Sequence, residues 1–259
     1  MLTIVSEGRA FKVMHVWFAE EFPINVPKGI DRLMIHGYPH DSVGNGCNAE
    51  ISLQHTLITN LTEPEEEIRK RFKSNTRNEI NRAVKDGTKI VTYASPDLCS
   101  NPSVLSDFAR MYCSMYEHKG MGKELNIKEL TEYIKKDGLV ISEAYIEDKP
   151  VVFHSYVTDG KRCRFLQSCS EFRIQEPVLR SAVGRANRLL HWEDMLYFKT
   201  HNCLEYDWGG VFAYEGDNGI DSFKKGFGGS PKDYYNIMIA ISNKAKVWDV
   251  IKKRKKQEG

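Results

Sequence analysis

Two glycine-rich stretches in the last third of the chain carry the most information about its fold: Asp207-Trp208-Gly209-Gly210 and Phe223-Lys224-Lys225-Gly226-Phe227-Gly228-Gly229. A single glycine pair is typical of a tight turn between strands. A lysine held beside such glycines can meet an anion or a developing oxyanion, because the bare backbone comes close to the ligand. The two stretches together therefore indicate a ligand site rather than a pair of turns.

The segments around these stretches predict an α/β fold. Apolar residues recur at spacings of three and four over residues 178–200, which predicts a long amphipathic helix. Further helices are predicted at residues 104–117, 127–136 and 220–225. Predicted strands lie at residues 139–146, 151–158, 162–168, 203–207 and 234–241, of which the first three form an antiparallel meander.

The N-terminal part contains short β segments, such as residues 11–18 and 49–53, followed by a basic helix. Thr62-Glu63-Pro64-Glu65 has the pattern of a capping box with proline in the first turn, so a helix is expected to start there and to end at Gly87. It can be broken at Ser74-Asn75. Its basic residues are Arg69, Lys70, Arg71, Lys73, Arg77, Arg82 and Lys85. They form either a solvated face balanced by glutamates or an anion-binding surface.

Composition excludes several classes of protein. The chain has 259 residues, of which 41% are hydrophobic and 28% charged, as in ordinary globular domains. No apolar run approaches the length of a membrane span and the N-terminus lacks a signal pattern, so we expect a cytoplasmic protein without a transmembrane segment. The six cysteines show no C-x-x-C spacing, so neither a zinc knuckle nor a disulfide scaffold is expected, and no metal site is predicted.

The charge distribution gives one further candidate surface. A net charge of +2 is too small to indicate nucleic-acid binding by itself, and no DNA partner is expected. Lys252-Lys253-Arg254-Lys255-Lys256 forms a basic block. It is either a solvated helix end that complements the helix dipole or a peripheral contact with phosphates or a membrane surface.

In its basic helix, its long helix and its two glycine-rich stretches, the chain resembles the FemAB-like aminoacyltransferases, whose fold is related to the GNAT acyltransferases. Three segments carry the resemblance. They are Thr56-Leu57-Ile58-Thr59-Asn60-Leu61 with the basic helix, Leu190-His191-Trp192-Glu193 at the end of the long helix, and the two glycine-rich stretches. The resemblance implies a GNAT-like α/β (α+β) fold, with a central, mostly antiparallel twisted sheet flanked by helices. Since the chain is shorter than these enzymes, we expect a reduced N-terminal GNAT-like half at residues 1–94 and an acyltransferase domain at residues 95–259.

The resemblance also implies an activity. Members of the family move an aminoacyl group from aminoacyl-tRNA to an amine, and shorter relatives look like N-acyltransferases of amino sugars or small amines. We therefore expect transfer from acyl-CoA or aminoacyl-tRNA, used as co-substrate with no bound cofactor, to an amino sugar or a cell-envelope precursor. The GNAT pyrophosphate signature is only partly matched, by Arg180-Ser181-Ala182-Val183-Gly184-Arg185-Ala186, so both donors stay open.

The candidate catalytic residues are Lys224 and Asp207. The Phe-Lys pair of the family motif falls on Phe223 and Lys224, which implies that Lys224 meets the oxyanion or a donor phosphate while Phe223 shapes the pocket. Asp207, at a strand end, can accept the amine proton or hold the amides of the following glycines.

Further substrate-binding candidates surround this pair, and each has a structural alternative. They are Tyr206, Trp208, Gly209, Gly210, Arg77 and His154. The aromatic residues can stack on a base or belong to the core. His154 can act as a base or be a hydrogen-bonded core residue. If none of these groups is catalytic, the alternative function is a non-catalytic module that binds tRNA or another polyanion through the basic helix and the C-terminal lysines.

Overall fold

The computed structural model describes residues 1–43, 49–173, 176–215 and 219–257, except for the side chains of residue 173 and residues 253–257. The chain divides into two compact units, which we call the terminal unit (residues 1–55 and 232–259) and the central unit (residues 56–231). The domain boundary predicted after residue 94 differs from this division into units, and it stays a prediction.

The described residues form ten strands and eight α-helices. The strands are β1 (Leu2–Glu7), β2 (Lys12–Trp17), β3 (Arg32–Tyr38), β4 (Ala49–Asn60), β5 (Lys89–Ala94), β6 (Leu139–Ile146), β7 (Lys149–Thr158), β8 (Arg162–Ser170), β9 (Glu205–Val211) and β10 (Ser230–Ala240). The helices are α1 (Glu65–Lys70), α2 (Ser74–Lys85), α3 (Ser95–Ser100), α4 (Pro102–Glu117), α5 (Ile127–Ile134), α6 (Pro177–Thr200), α7 (Gly219–Lys225) and α8 (Asn243–Gln257).

The terminal unit is built from both ends of the chain. Its strands follow the order β1-β2-β3-β10, with the first part of β4 beside β10. β1 pairs with β2 and β10 pairs with β3 in antiparallel fashion, whereas β2 and β3 are parallel. Their inward side chains, among them Val16, Ile35 and Ile237, form a hydrophobic core of their own.

The central unit contains the predicted meander. From the last part of β4 its strands follow the order β9-β8-β7-β6-β5. Every pairing from β5 to β8 is antiparallel, and β9 runs parallel to β8, with Asp207 opposite Arg164. A mixed, mostly antiparallel sheet flanked by helices is the fold class expected from the sequence, and the structure confirms it.

The long helix α6 covers this sheet. Pro177 occupies its first turn, where no backbone donor is needed, and the apolar residues at spacings of three and four are buried, for example Val183, Ala186 and Leu190. The helix packs against β6 and β7. Its predicted span of residues 178–200 is confirmed within one residue.

The basic helix is two helices rather than one. The chain breaks between α1 and α2 at residues 71–73, just before the predicted Ser74-Asn75. Arg77 satisfies the carbonyls left free at the break, since its Nη1 donates to the oxygen of Phe72 and, over 3.2 Å, to that of Lys70. Gly87, with φ of 76°, ends α2 as predicted.

The end of the second glycine-rich stretch packs against this break. Lys73 N donates to Gly226 O over 2.9 Å, and Phe227 is buried against Phe72 with 5.1 Å between ring centroids. A Cβ on Gly228, whose φ is 71°, would come within 2.5 Å of the backbone oxygen of Arg71. Residues 226–229 are therefore glycine-rich because two backbone segments touch there.

Candidate active site

A cavity of about 640 Å³ opens in the central unit beside the C-terminal half of β9. This volume is in the range of small-molecule binding sites. Helices α4, α6 and α7 and strands β8 and β9 form its wall. Of the predicted residues, it brings together Phe223, Lys224, Gly209 and Gly210.

The cavity wall is positively charged. Its cations are Lys119, Arg188 and Lys224, and none of the described residues that line it is a carboxylate. Arg188 is held in place, because its Nη1 donates to Gly184 O over 3.0 Å and its guanidinium lies 5.0 Å from the centre of the Phe223 ring. This charge pattern favours an anionic ligand.

Lys224 lies against the glycine pair. Its residue surface is only 8% exposed, and its Nζ donates to the carbonyl oxygen of Gly210 over 2.7 Å. Burial lowers the pKa of this amine to about 8, with the carboxylate of Asp207 opposing the shift and Arg164 adding to it. The side chain is therefore mostly charged at neutral pH and poised close to deprotonation.

The glycine pair belongs to β9 itself, whereas the predicted strand ended at Asp207. Gly209 has φ of 68°, and a Cβ there would come within 2.7 Å of the backbone oxygen of Phe165 and 3.9 Å of Lys224 Nζ. The contact with Phe165 and the positive φ together require glycine here, because only glycine lets β9 approach β8 this closely.

Asp207 lies behind the cavity wall rather than on it. Its Oδ1 accepts hydrogen bonds from Thr56 Oγ1 over 2.5 Å and from Gly209 N over 2.9 Å. Its Oδ2 pairs with Arg164 Nη1 at 2.5 Å, and both side chains are buried. These bonds favour the structural alternative, in which the carboxylate shapes the glycine turn, and a catalytic role for Asp207 stays a prediction.

The other predicted binding residues do not line the cavity. Trp208 is fully buried in the core and donates its Nε1 proton to Thr59 Oγ1 over 3.0 Å. Tyr206 and His154 are also fully buried. Arg77 supports the break between α1 and α2, as described above. For the aromatic pair the structure favours the core alternative over stacking on a ligand.

The remaining basic surfaces offer fewer free cations than the sequence indicates. In the helix pair Arg69 donates to Asn81 Oδ1 over 2.5 Å, Lys70 pairs with Glu67 at 2.5 Å and Arg71 pairs with Glu63 at 2.6 Å. These contacts favour the solvated face. In the C-terminal block, the side chains of residues 253–256 lie outside the described residues, and the membrane contact there stays a prediction.

His191 lines the cavity and begins a chain of buried hydrogen bonds. Its Nδ1 lies 2.7 Å from Tyr206 OH, which in turn lies 2.7 Å from Tyr156 OH. Tyr156 OH donates to Asp194 Oδ2 over 2.5 Å, and the same oxygen lies 2.8 Å from His154 Nδ1.

Burial, aided by the charges of His154, Lys224 and Arg188, lowers the pKa of His191 well below its ordinary value. Burial likewise raises the pKa of both tyrosines well above theirs.

Sequence reasoning did not select His191 or Asp194. The available signal was their spacing of three on α6, which places two ionisable residues on one side of the helix among the apolar Leu190, Trp192 and Met195. Because His154 lies on β7, its distance from them could not be inferred without the fold.

His154, His191 and Asp194 also form a candidate metal-binding cluster, since their ligand atoms all lie within 4.8 Å of one another. Both ring nitrogens of His154 are engaged, because Nε2 lies 2.7 Å from Asn187 Oδ1. Nδ1 of His191 is engaged as well. Hydrogen bonds thus engage three of the four ring nitrogens, and the expectation of no metal stays a prediction.

Across the described residues, none of the helices has the length and apolar character needed to cross a membrane.

No protein-family profile and no curated protein sequence matches the chain. A crystal structure of FemX superposes with a TM-score of 0.61 at 11% identity, covering 96% of this chain and 86% of that one. The C-terminal domain assigned to a lysylphosphatidylglycerol synthetase from Agrobacterium fabrum gives 0.58 at 9% identity over 95% and 82%. L-PGS from Bacillus licheniformis gives 0.51 at 11% identity over 86% and 72%. The chain therefore has the FemAB-like, GNAT-related fold that its glycine-rich motifs predicted.

Proposed function

We propose that this protein is an N-acyltransferase that moves an acyl or aminoacyl group from an activated donor to an amine. The acceptor is an amino sugar or a cell-envelope precursor, and the reaction takes place in the cytoplasm. The observation that carries the proposal is the buried Lys224, held by the glycine pair on the wall of a cavity lined only by cationic and neutral described residues.

The chemistry of acyl transfer requires such a group. When an amine attacks an ester or thioester carbonyl, the carbonyl oxygen gains negative charge that preorganised donors must stabilise. The Nζ of Lys224 carries three donor hydrogens, of which one is used by Gly210 O, so a donor is left for an oxyanion. Burial strengthens that interaction because little water competes with it.

The positive wall favours a donor that carries phosphates. Acyl-CoA and aminoacyl-tRNA both do, and Arg188 and Lys119 are placed to meet them. Among the proteins with this fold, the lysylphosphatidylglycerol synthetases are by name enzymes that make an aminoacyl lipid. That comparison supports aminoacyl transfer to a cell-envelope precursor as one form of the proposal.

The first test is donor binding. Acetyl-CoA or a charged tRNA at about 100 times its dissociation constant should add ~2.7 kcal/mol to the free energy of unfolding, seen as a saturable rise in melting temperature. Stabilisation by acetyl-CoA assigns a CoA-dependent enzyme, and stabilisation by charged tRNA alone assigns an aminoacyltransferase.

The second test is turnover with that donor and a labelled amino sugar or other amine. Lys224→Ala should lower kcat/KM at least ~10-fold, which corresponds to ~1.4 kcal/mol of transition-state stabilisation. The matched control is Lys225→Ala, since Lys225 follows directly on α7 and does not line the cavity. An unchanged rate in Lys224→Ala would remove the lysine from the mechanism. Binding that falls steeply with salt, without transfer from any donor, would instead indicate the polyanion-binding module.

A further inference from the structure

The buried chain from His191 to Asp194 has a fixed direction. Tyr156 OH donates to Asp194 Oδ2, and this bond uses its single proton. Tyr156 can then only accept from Tyr206, whose proton is thereby used. Consequently Tyr206 accepts from His191, and the proton of the neutral imidazole is on Nδ1.

The other ring nitrogen of His191 is consequently a free base. With the proton on Nδ1, Nε2 carries a lone pair, and within the described part of the chain no hydrogen bond reaches it. His191 lines the same cavity as Lys224, and the two are close enough for the charge of Lys224 to act on the imidazole. The cavity wall thus contains a histidine with an unprotonated ring nitrogen in addition to Lys224.

We propose that His191 is the general base of this site and that Tyr206, Tyr156 and Asp194 are positioning residues that fix its tautomer. This inference rests on the proposed acyl transfer. The arrangement has the logic of a histidine oriented by a buried carboxylate, with two tyrosine hydroxyls inserted between them.

In this step the proton of the amine passes to His191 and then to the leaving group. The amine nitrogen bonds to the carbonyl carbon of the donor, and the carbonyl electron pair moves to the oxygen beside Lys224. The positively charged nitrogen gives its proton to His191 Nε2. The resulting imidazolium keeps its Nδ1 hydrogen bond to Tyr206 and, through the two hydroxyls, its connection to the carboxyl group of Asp194. When the carbon–oxygen or carbon–sulfur bond of the donor breaks, His191 returns the proton to the leaving oxygen or sulfur.

A second feature of Asp194 agrees with this role. Its Oδ1 is buried, and within the described residues it has no hydrogen-bond partner. An unpaired buried carboxylate oxygen is costly and calls for a functional explanation. Here the carboxylate is held through Oδ2, the oxygen that faces Tyr156 and His154.

The decisive measurement is the tautomer of His191, read from nitrogen-15 NMR spectra of the histidine-labelled protein. At pH 7 we expect protonated Nδ1 and unprotonated Nε2. Tyr156→Phe removes the hydroxyl that uses the Tyr206 proton, so Tyr206 becomes free to donate to Nδ1 and the proton of His191 moves to Nε2. The matched control is Tyr133→Phe, because Tyr133 is also fully buried and its hydroxyl donates to Glu129, which does not belong to this hydrogen-bond chain. It should leave the tautomer unchanged.

Turnover supplies the functional readout. His191→Gln should lower kcat at least ~10²-fold, the usual contribution of a positioned base. Tyr156→Phe should lower kcat about 10-fold with little change in KM, while Tyr133→Phe stays at the wild-type rate. The dependence of kcat on pH below neutrality should reflect protonation of His191. The groups that face its ring are His154, Lys224 and Arg188, and Asp194 is connected to it through the two tyrosines.

The outcomes separate the two proposals. If the wild type transfers acyl groups but His191→Gln is equally fast, only the base role is overturned. A wild-type tautomer with the proton on Nε2 would overturn it as well. One equivalent of zinc retained by the wild type and lost in His191→Gln would replace the relay by a metal site. If the wild type transfers nothing from either donor, the proposed function fails and the base role with it, whatever the tautomer.

Discussion

Replacing Lys224 by methionine should stabilise the protein while removing its activity. The pKa of this lysine falls from 10.5 to about 8 on folding, chiefly through burial. Each unit corresponds to ~1.4 kcal/mol, so keeping the charged amine in the folded protein at pH 7 costs about 3 kcal/mol. Methionine fills a similar volume without charge. The hydrogen bond lost at Gly210 costs little, since that glycine is exposed and its carbonyl can bind water.

The sign of the pH dependence makes the prediction specific. Between pH 8 and 10.5 the unfolded chain binds the proton that the folded chain has lost, so the stability of the wild type rises with pH in this interval. The advantage of Lys224→Met should therefore shrink from about 3 kcal/mol at pH 7 to about 1.4 kcal/mol at pH 9.5.

Melting curves at the two pH values measure this difference. A gain of about 3 kcal/mol corresponds to an increase in melting temperature of several degrees at pH 7 for a chain of this size. Lys225→Met, at the next position on α7, serves as the control. A variant that melts below the wild type at pH 7, or whose advantage is the same at pH 9.5, would refute the assignment of a buried, destabilised ammonium group.

Two further predictions concern the glycine turn. Gly209→Ala should destabilise the protein by about 2 kcal/mol or more, because its Cβ meets the Phe165 carbonyl at 2.7 Å. Gly160→Ala, with φ of 81° and open space around it, should cost less, and equal losses in denaturant unfolding would argue against the contact. Asp207→Asn should cost about 3 kcal/mol by removing the carboxylate that pairs with the buried Arg164. A stable but inactive Asp207→Asn would instead assign Asp207 the base role.

Much of the fold could be predicted from the sequence because periodicity reports burial directly. The apolar spacing over residues 178–200 gave α6 almost to the residue, and the strands of the meander were bounded by turn-forming residues. Motif chemistry likewise placed Phe223 and Lys224 at a cavity. These inferences needed only local patterns.

The rest of the site depended on contacts between distant segments. Asp207 could be a base or a structural acceptor until Arg164 was found beside it, 43 residues away. Tyr206 and Trp208 were expected at the ligand because they flank the glycine pair, yet both face the core. His191 was missed because its role depends on three hydroxyl and carboxyl groups from β7, β9 and α6, and no local pattern reports such a chain.

The terminal unit is built from both ends of the chain, so its sheet cannot be completed until most of the chain has been synthesised. β3 ends at Tyr38, and the strand that pairs with it, β10, begins at Ser230. At roughly 5–20 residues per second, a ribosome needs roughly 10–40 s to synthesise the intervening chain. During that time β3 has an open edge that could pair with other nascent strands. Residues 56–231 can form their own core first, whereas the N-terminal strands cannot pair with β10 until it has been synthesised. Dependence on chaperones should therefore be greatest in this interval of translation.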